Sequence, residues 1–413
     1  MTARLQVLLH GAPAGWLVRK ENGNLQFRYH EAYVQAQQMP LSNAMPVQAE
    51  AYGHRICLAV FGGILPEQDV RRAVSQLLGV SPSNDYRLLE ELGGDCAGAI
   101  EFHLPDVEPV HTDDARLLSA QDLDRILVEL PRRPLAIGSG GGATRMSLAG
   151  AQGKLPVALA PDGFTLPAPG GPATTHILKP QPERFDGLVD NEHFCMSLAR
   201  RLGLPVAVTR TAKTLNGLPY LVIDRYDRDL TAHPVRRLHQ EDMCQALGRL
   251  TSEKYQADGG PTVREVATLL RQASAAPVQD LPVLWSALIL NVLVGNCDAH
   301  GKNYSLLYDT ARPTLAPLYD IVSTAAYEGL TTRLSMTIGG ATHLDDVGLD
   351  SWARCAGEVG FNERYALDRV MQLATRICAV ADDMISSSEH DNPQVHAIVG
   401  GISERATRWG IRS

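Results

Sequence analysis

Short runs of alternating apolar and polar residues open the chain: LQVLLH, GWLVRK and LQFRYH, separated by GAPA and ENGN. A period of two, broken by turns rich in Gly, Pro and Asn, predicts an antiparallel meander. The period then changes. In PEQDVRRAVSQLLGVS, Val70, Val74, Leu77 and Leu78 recur at helical spacing between a Pro-Glu start and a stop at Gly79, and NDYRLLEELGG repeats the scheme. A small α+β segment is therefore predicted over residues 1–105.

Residues 106–118 are acidic and irregular, and a domain boundary is placed there. SAQDLDRILVELP follows, a predicted helix with Ser119 and Asp122 at its start and Pro131 after its end. A glycine-dense stretch, GSGGGATRMSLAGAQGK, precedes strand-like LPVALA and FTLP. THILKP is a short strand that ends at Lys179, NEHFCMSLARRLG an amphipathic helix, and VAVTRTAK and LPYLVIDRYDR two further strands. Hairpin, lysine-bearing strand, helix and two closing strands form the usual order of a kinase amino lobe. Helices are predicted to dominate after residue 238, in QEDMCQALG, REVATLLRQAS and LPVLWSALILNVLVGN. The last is apolar on every face, as a buried helix would be. Domains are accordingly expected over 1–105, 106–236 and 237–413.

Composition narrows the classes. The 413 residues are 45% hydrophobic and 20% charged, enough to bury cores in two or three domains. A net charge of −8 offers no general attraction to nucleic acid. The seven cysteines are scattered and never form a C-x-x-C pair, so neither a disulfide framework nor a thiolate zinc site is suggested. No charged-then-apolar leader opens the sequence and no apolar run of about 18 residues stands out, so the cytoplasm is the expected location.

The candidate chemistry is concentrated in VGNCDAHGKNYSLLYD, where Asp298, His300, Lys302 and Asn303 follow directly on the apolar run. Three readings are open. Cys297 and His300 could ligate zinc, although two further ligands are not supplied. Asn296 and Asp298 could simply turn the backbone at a helix end. Asp298 and Asn303 also have the D-x-x-x-x-N spacing of a phosphoryl-transfer loop, in which the aspartate accepts a hydroxyl proton and the asparagine binds magnesium. That pattern requires a second metal-binding aspartate after a short hairpin; YSLLYD, a turn at TARP and TLAPLYD lead to Asp320. Upstream, Lys179 lies on a strand that Pro180 keeps extended, suited to holding phosphates or to an exposed edge.

The ordered motifs RMSLAGAQGK, THILKP, VDNEHFC, DRYDR, HQEDMCQALG, KYQADGGP, GNCDAHGKN and LAPLYDIVS resemble those of the HipA family of bacterial toxin serine/threonine kinases, through nearly the whole chain. FGGILPE and LLEELGGDCAGAI resemble that family's amino-terminal segment. The resemblance implies an α+β, kinase-like two-lobed fold, with a β-rich small lobe, an all-helical large lobe and an extra amino-terminal subdomain. It implies ATP and Mg2+ as cofactors, Asp298 as catalytic base, Asn303 and Asp320 as magnesium ligands, Lys179 as the phosphate-contacting lysine, and His300 and Lys302 beside the nucleotide.

Further implied nucleotide contacts are Asp224, Arg225 and Tyr226 at a hinge, with Tyr226 on the adenine face, and Gln240. Asp224 stands where the family carries glutamate. Gln240 and Asp242 serve equally well as helix-start residues. SLAGAQGK resembles the family's phosphate-covering loop, with Ser147, Ala149, Gly150, Ala151, Gln152 and Lys154 as contacts and Ser147 as the autophosphorylated serine; Gly153 replaces a bulkier residue. Glu192 either pairs with Lys179 or favours the start of its helix.

The function implied is a protein serine/threonine kinase toxin. Its partners would be a small DNA-binding helix-turn-helix antitoxin, with DNA reached only through it, and a translation-related protein substrate of the aminoacyl-tRNA synthetase class. Two alternatives stand beside this: a kinase-fold corepressor without catalysis, opposed by the presence of Asp298, Asn303, Asp320 and Lys179, and a small-molecule kinase, opposed by the loop serine.

Overall fold

The computed structural model describes residues 3–105, 112–134, 149–150, 152–386 and 392–411. Two compact units emerge: Met1–Pro180 with Ala212–Thr251 and Leu307–Ala311, and Gln181–Thr211 with Ser252–Leu306 and Arg312–Ser413. The first unit thus joins the amino-terminal segment to most of the strands expected of the small lobe, whereas the helix Leu188–Arg201 belongs to the second.

In the first unit the opening alternation becomes strands Ala3–Leu9, Ala12–Arg19 and Leu25–Tyr29, with Ile100–His103 beside the first. The register Leu5↔Leu17↔Phe27 puts one set of apolar side chains on one face. That face is buried with Phe61, Val70, Val74, Leu88 and Leu92 in a single core. The helices Gln68–Leu78 and Asp85–Leu92 follow the predicted periodicity. Gly79, at φ +65°, ends the first, and the Asn84 side chain accepts the Arg87 N–H at the start of the second.

The second sheet of this unit runs Ala115–Leu117, Gly163–Pro167, Leu155–Ala160, His176–Pro180, Pro219–Asp224, with Thr209–Lys213 at its edge. Ala115–Leu117 falls in the stretch expected to be irregular. Three residues are too few for an alternation to register, and the pairing with Gly163–Pro167 supplies the order. The lysine strand is interior, with Lys179 opposite Leu221. Helix Ala120–Glu129, whose first turn is capped by Ser119, closes a second core through Ile126 and Leu127.

QEDMCQALG departs from the predicted helix. It is a strand, His239–Asp242, followed by one helical turn, Met243–Ala246. Asp242 and Gln245 form a reciprocal capping box that starts the turn at residue 243. Asp242 therefore fills its helix-start role.

The second unit is mainly helical, built from Leu188–Arg201, Val263–Ala273, Pro277–Val294, Leu349–Val359, Glu363–Ile385 and Pro393–Arg408. Pro277–Val294 is long and apolar enough to cross a bilayer by length and composition, but most of it is buried against Val263–Ala273, Glu363–Ile385 and Pro393–Arg408. A hairpin, Arg333–Ile338 with Ala341–His343, interrupts the helices without a preceding sequence signal. Helix Leu188–Arg201 was expected to be amphipathic, yet Asn191, Glu192 and His193 are buried with Phe194, Cys195 and Met196.

Candidate active site

In the second unit, the buried helix Pro277–Val294 stops at Gly295, which adopts φ +77°. Asn296 then turns the chain: its N–H donates to the Asn291 carbonyl at 2.8 Å, and its Oδ1 accepts the Asp298 N–H at 3.1 Å. The loop tightens further as the His300 N–H donates to the Asp298 carbonyl (2.8 Å) and the Asn303 N–H to the His300 carbonyl (2.9 Å). Asp298 and Asn303 thus stand on one compact loop.

The chain leaves along Ser305 and returns, with the Ala316 N–H donating to the Ser305 carbonyl at 2.8 Å. The Tyr319 hydroxyl donates to the Lys302 carbonyl at 2.7 Å and lies 2.6 Å from Ser305 Oγ. Its neighbour Asp320 is thereby brought to the loop, where Asn303 Nδ2 donates to Asp320 Oδ2 at 3.2 Å. Asp320 has φ +58°. A non-glycine residue held in this region costs on the order of 1–3 kcal/mol, a strain that concentrates where side-chain placement matters. The segment after it is pinned by Asn191, whose amide donates to the Ser323 carbonyl (2.9 Å) and accepts the Ser323 N–H (2.8 Å).

Asn303 and Asp320 offer an amide oxygen and a carboxylate. These are hard ligands in the small number that Mg2+ usually takes from a protein, its other positions going to water and phosphate oxygens. Among the described residues no group of three or more His, Cys, Asp or Glu is placed to hold a metal. The two further ligands that zinc would need beside Cys297 and His300 are not supplied among those residues. Cys297 is buried, and that burial raises its thiol pKa. The backbone-turn reading is met by Asn296; the exposed Asp298 instead accepts the Tyr255 hydroxyl at 3.0 Å through Oδ1. His300 is buried, with its ring edge-on to Tyr255 at 5.3 Å, and Lys302 is buried in the same loop.

Lys179, Lys154, Asp224, Arg225, Tyr226 and Gln240 lie in the first unit. Lys179 is buried on its interior strand, while Glu192 is in the second unit. Lys154 Nζ donates to the Ala149 carbonyl at 2.6 Å, and the Gly150 carbonyl accepts the Glu67 N–H at 3.1 Å. Gln152 is half-buried. Ser147 and Ala151 lie outside the described residues. The Tyr226 hydroxyl donates to Gln240, and Asp224 Oδ1 lies 3.2 Å from His176 Nε2.

Arg225 is held at both its backbone and its side chain. Its N–H donates to the Thr175 carbonyl at 2.9 Å, and its guanidinium is buried in an ion cluster with Asp95, Asp227, Arg228 and Arg237. Burial opposes the charges of Asp95 and Asp227, but the guanidiniums outweigh it, holding Asp95 below the usual carboxylate range and Asp227 at about 2. Gly98 is needed beside this cluster: at φ +76°, a Cβ there would lie 2.7 Å from the Gln240 backbone nitrogen, and its N–H donates to Asp227 at 2.7 Å.

Comparison with known proteins identifies the assembly of these parts. The HipA N-terminal domain matches residues 5–103 and the HipA-like C-terminal domain residues 146–381. The chain belongs to the HipA family. A Sinorhizobium fredii protein named "Putative kinase Y4mE" is 41% identical, the alignment covering 98% of each chain. The Shewanella oneidensis serine/threonine-protein kinase toxin HipA is 30% identical over 82% of this chain and 79% of its own. The solved complex of the Shewanella oneidensis toxin–antitoxin proteins HipA and HipB with operator DNA contains a chain matching at TM-score 0.85 and 25% identity, over 98% of this chain and 97% of that one. The fold is therefore α+β and kinase-like, as HipA is.

Asn191 and Asn291, which help to build this HipA-family site, were not singled out in the sequence, whereas Asn296 was read there as a turn residue. Asn191, Asn291 and Asn296 carry the hydrogen bonds that shape the loop and hold the Asp320 segment, and Asn291 also donates to the Tyr304 hydroxyl at 3.0 Å. For Asn291 the signal was an asparagine inside an otherwise apolar helical run, where a polar side chain needs a specific partner.

Proposed function

We propose that the chain is an ATP- and magnesium-dependent protein serine/threonine kinase and the toxin of a toxin–antitoxin pair. The observation that carries this reading is the convergence of Asn303 and the strained Asp320 at 3.2 Å, on the loop that presents Asp298. Membership of a family whose relatives are named kinases supports it. Mg2+, when bound, would neutralise phosphate charge. Asn303 and Asp320 would hold it, Asp298 would orient and deprotonate the acceptor hydroxyl, and Lys179 would supply a phosphate-contacting cation. His300, Lys302, Asp224, Tyr226 and Gln240 would line the nucleotide site, together with the glycine-rich segment that includes Ala149, Gly150, Gln152 and Lys154.

In this reading Ser147 is autophosphorylated, the substrate is a translation-related protein of the aminoacyl-tRNA synthetase class, and the partner is a small DNA-binding antitoxin. The Shewanella complex with HipB and operator DNA supports the last of these. The test is transfer from γ-labelled ATP to the protein itself and to lysate proteins, with modified sites mapped by mass spectrometry. Wild type should incorporate label, Asp298→Asn should lose on the order of 10²–10⁴ in rate, and growth arrest on expression without antitoxin should disappear with it. Equal label incorporation by both proteins would refute the assignment of Asp298; no transfer by wild type would favour the corepressor.

A further inference from the structure

Two residues of KYQADGGP contact the loop that carries Asp298, and the next one anchors their segment. The Lys254 carbonyl accepts the Gly301 N–H at 3.4 Å. The Tyr255 hydroxyl donates to Asp298 Oδ1 at 3.0 Å. The Gln256 side chain is clamped to Thr337 of strand Arg333–Ile338, accepting its N–H at 2.8 Å and donating to its Oγ1 at 3.0 Å. The phenol ring is further held edge-on to His300, with Lys254 Nζ 5.2 Å from its centroid. A side chain whose segment is tied down on both sides delivers its hydroxyl to a fixed point, and that point is one oxygen of the Asp298 carboxylate.

We infer that Tyr255 is a positioning residue for phosphoryl transfer: its hydroxyl on Oδ1 helps to fix the orientation in which the Asp298 carboxylate meets the substrate hydroxyl. This rests on the kinase reading of the site. During transfer the hydroxyl oxygen bonds to phosphorus, the bridging bond to ADP breaks with its electron pair leaving on ADP, and the hydroxyl proton passes to the Asp298 carboxylate. A carboxylate that loses one of its hydrogen bonds is held less firmly about its terminal torsion and spends less time in the productive orientation. A hydrogen bond to a charged group is worth about 1.5–3 kcal/mol, or roughly ten- to a hundredfold in rate if it is needed in the transition state.

The experiment compares initial rates of label incorporation from γ-labelled ATP for wild type, Tyr255→Phe, Gln256→Ala, Asp298→Asn and the Tyr255→Phe/Asp298→Asn double variant. Tyr255→Phe should lower kcat by roughly ten- to a hundredfold with KM for Mg-ATP and melting temperature unchanged. Gln256→Ala, which keeps the hydroxyl but loosens the clamp, should lower kcat less. In the Asp298→Asn background, Tyr255→Phe should add nothing, because the carboxylate it positions is gone. Full kcat in Tyr255→Phe, a rise in KM in parallel with the loss, or additive losses in the double variant would each overturn the inference and leave the kinase reading standing. No transfer by wild type would overturn both.

Discussion

Asp95 is the residue whose loss should be felt most in the first unit. Its carboxylate accepts from the Thr174 N–H (3.1 Å), the Thr174 hydroxyl (2.7 Å) and Arg228 Nη2 (2.7 Å), with Arg237 at 3.5 Å and Arg225 at 3.9 Å. The Arg225 and Arg228 side chains are 2% and 0% exposed, so no solvent can take over the role of the carboxylate. Asp95→Asn keeps the shape and one acceptor but leaves three guanidiniums with Asp227 and Glu101 as their carboxylate partners among the described residues. Removing one partner of a buried ion pair costs about 3–5 kcal/mol, a large fraction of the roughly 5–15 kcal/mol that stabilises a domain. At roughly 2–4 °C per kcal/mol for a unit of this size, the melting temperature should fall by about 6–20 °C.

Differential scanning calorimetry measures that fall, and hydrogen exchange should show lost protection around residues 93–101 and 224–228. The pH dependence supplies a second check. The Asp95 carboxyl titrates below its ordinary value of 3.8 in the folded protein, so its contribution is present above that pH and is lost as pH falls below it. The gap between wild type and Asp95→Asn should therefore narrow below about pH 4. A melting temperature within about 1 °C of wild type at neutral pH would refute the argument that this cluster needs its charge balance.

Asp320→Asn keeps a residue type that tolerates positive φ but removes the charge, so Mg-nucleotide affinity measured by calorimetry should drop at least tenfold with little change in melting temperature; unchanged affinity would remove Asp320 from the metal site. Glu241, fully buried and bonded by Ser42, the Asn43 N–H and Tyr308, has its carboxyl pushed up to about 7 by burial. Its folded pKa lies above the ordinary 4.5, so its contribution to stability is complete below 4.5 and is lost as pH rises through 7. Glu241→Gln should flatten about 3 kcal/mol of that fall in urea unfolding followed across this range, and an identical pH profile would show that the carboxyl does not titrate there.

The local elements were legible because their signals are local. Alternation in LQVLLH, GWLVRK and LQFRYH set the strands and their inward faces, Gly79 and Asn84 marked helix ends, and the unbroken apolarity of LPVLWSALILNVLV marked a buried helix. The spacing of Asp298 and Asn303 named the loop because both residues sit within one turn of chain. Only tertiary structure decided the rest. Ala115–Leu117 is a strand because Gly163–Pro167 reaches it from elsewhere in the chain, and QEDMCQALG opens as strand because a cap at Asp242 delays its helical turn to residue 243. Nothing local in DRYDR shows that the Arg228 guanidinium will be buried against Asp95, 133 positions earlier. Tyr255 is one aromatic residue among twelve tyrosines until its hydroxyl meets Asp298, 43 residues later. Periodicity records which face of an element is buried; it carries no record of which distant polar group will be waiting there, because that pairing is set by how the elements pack.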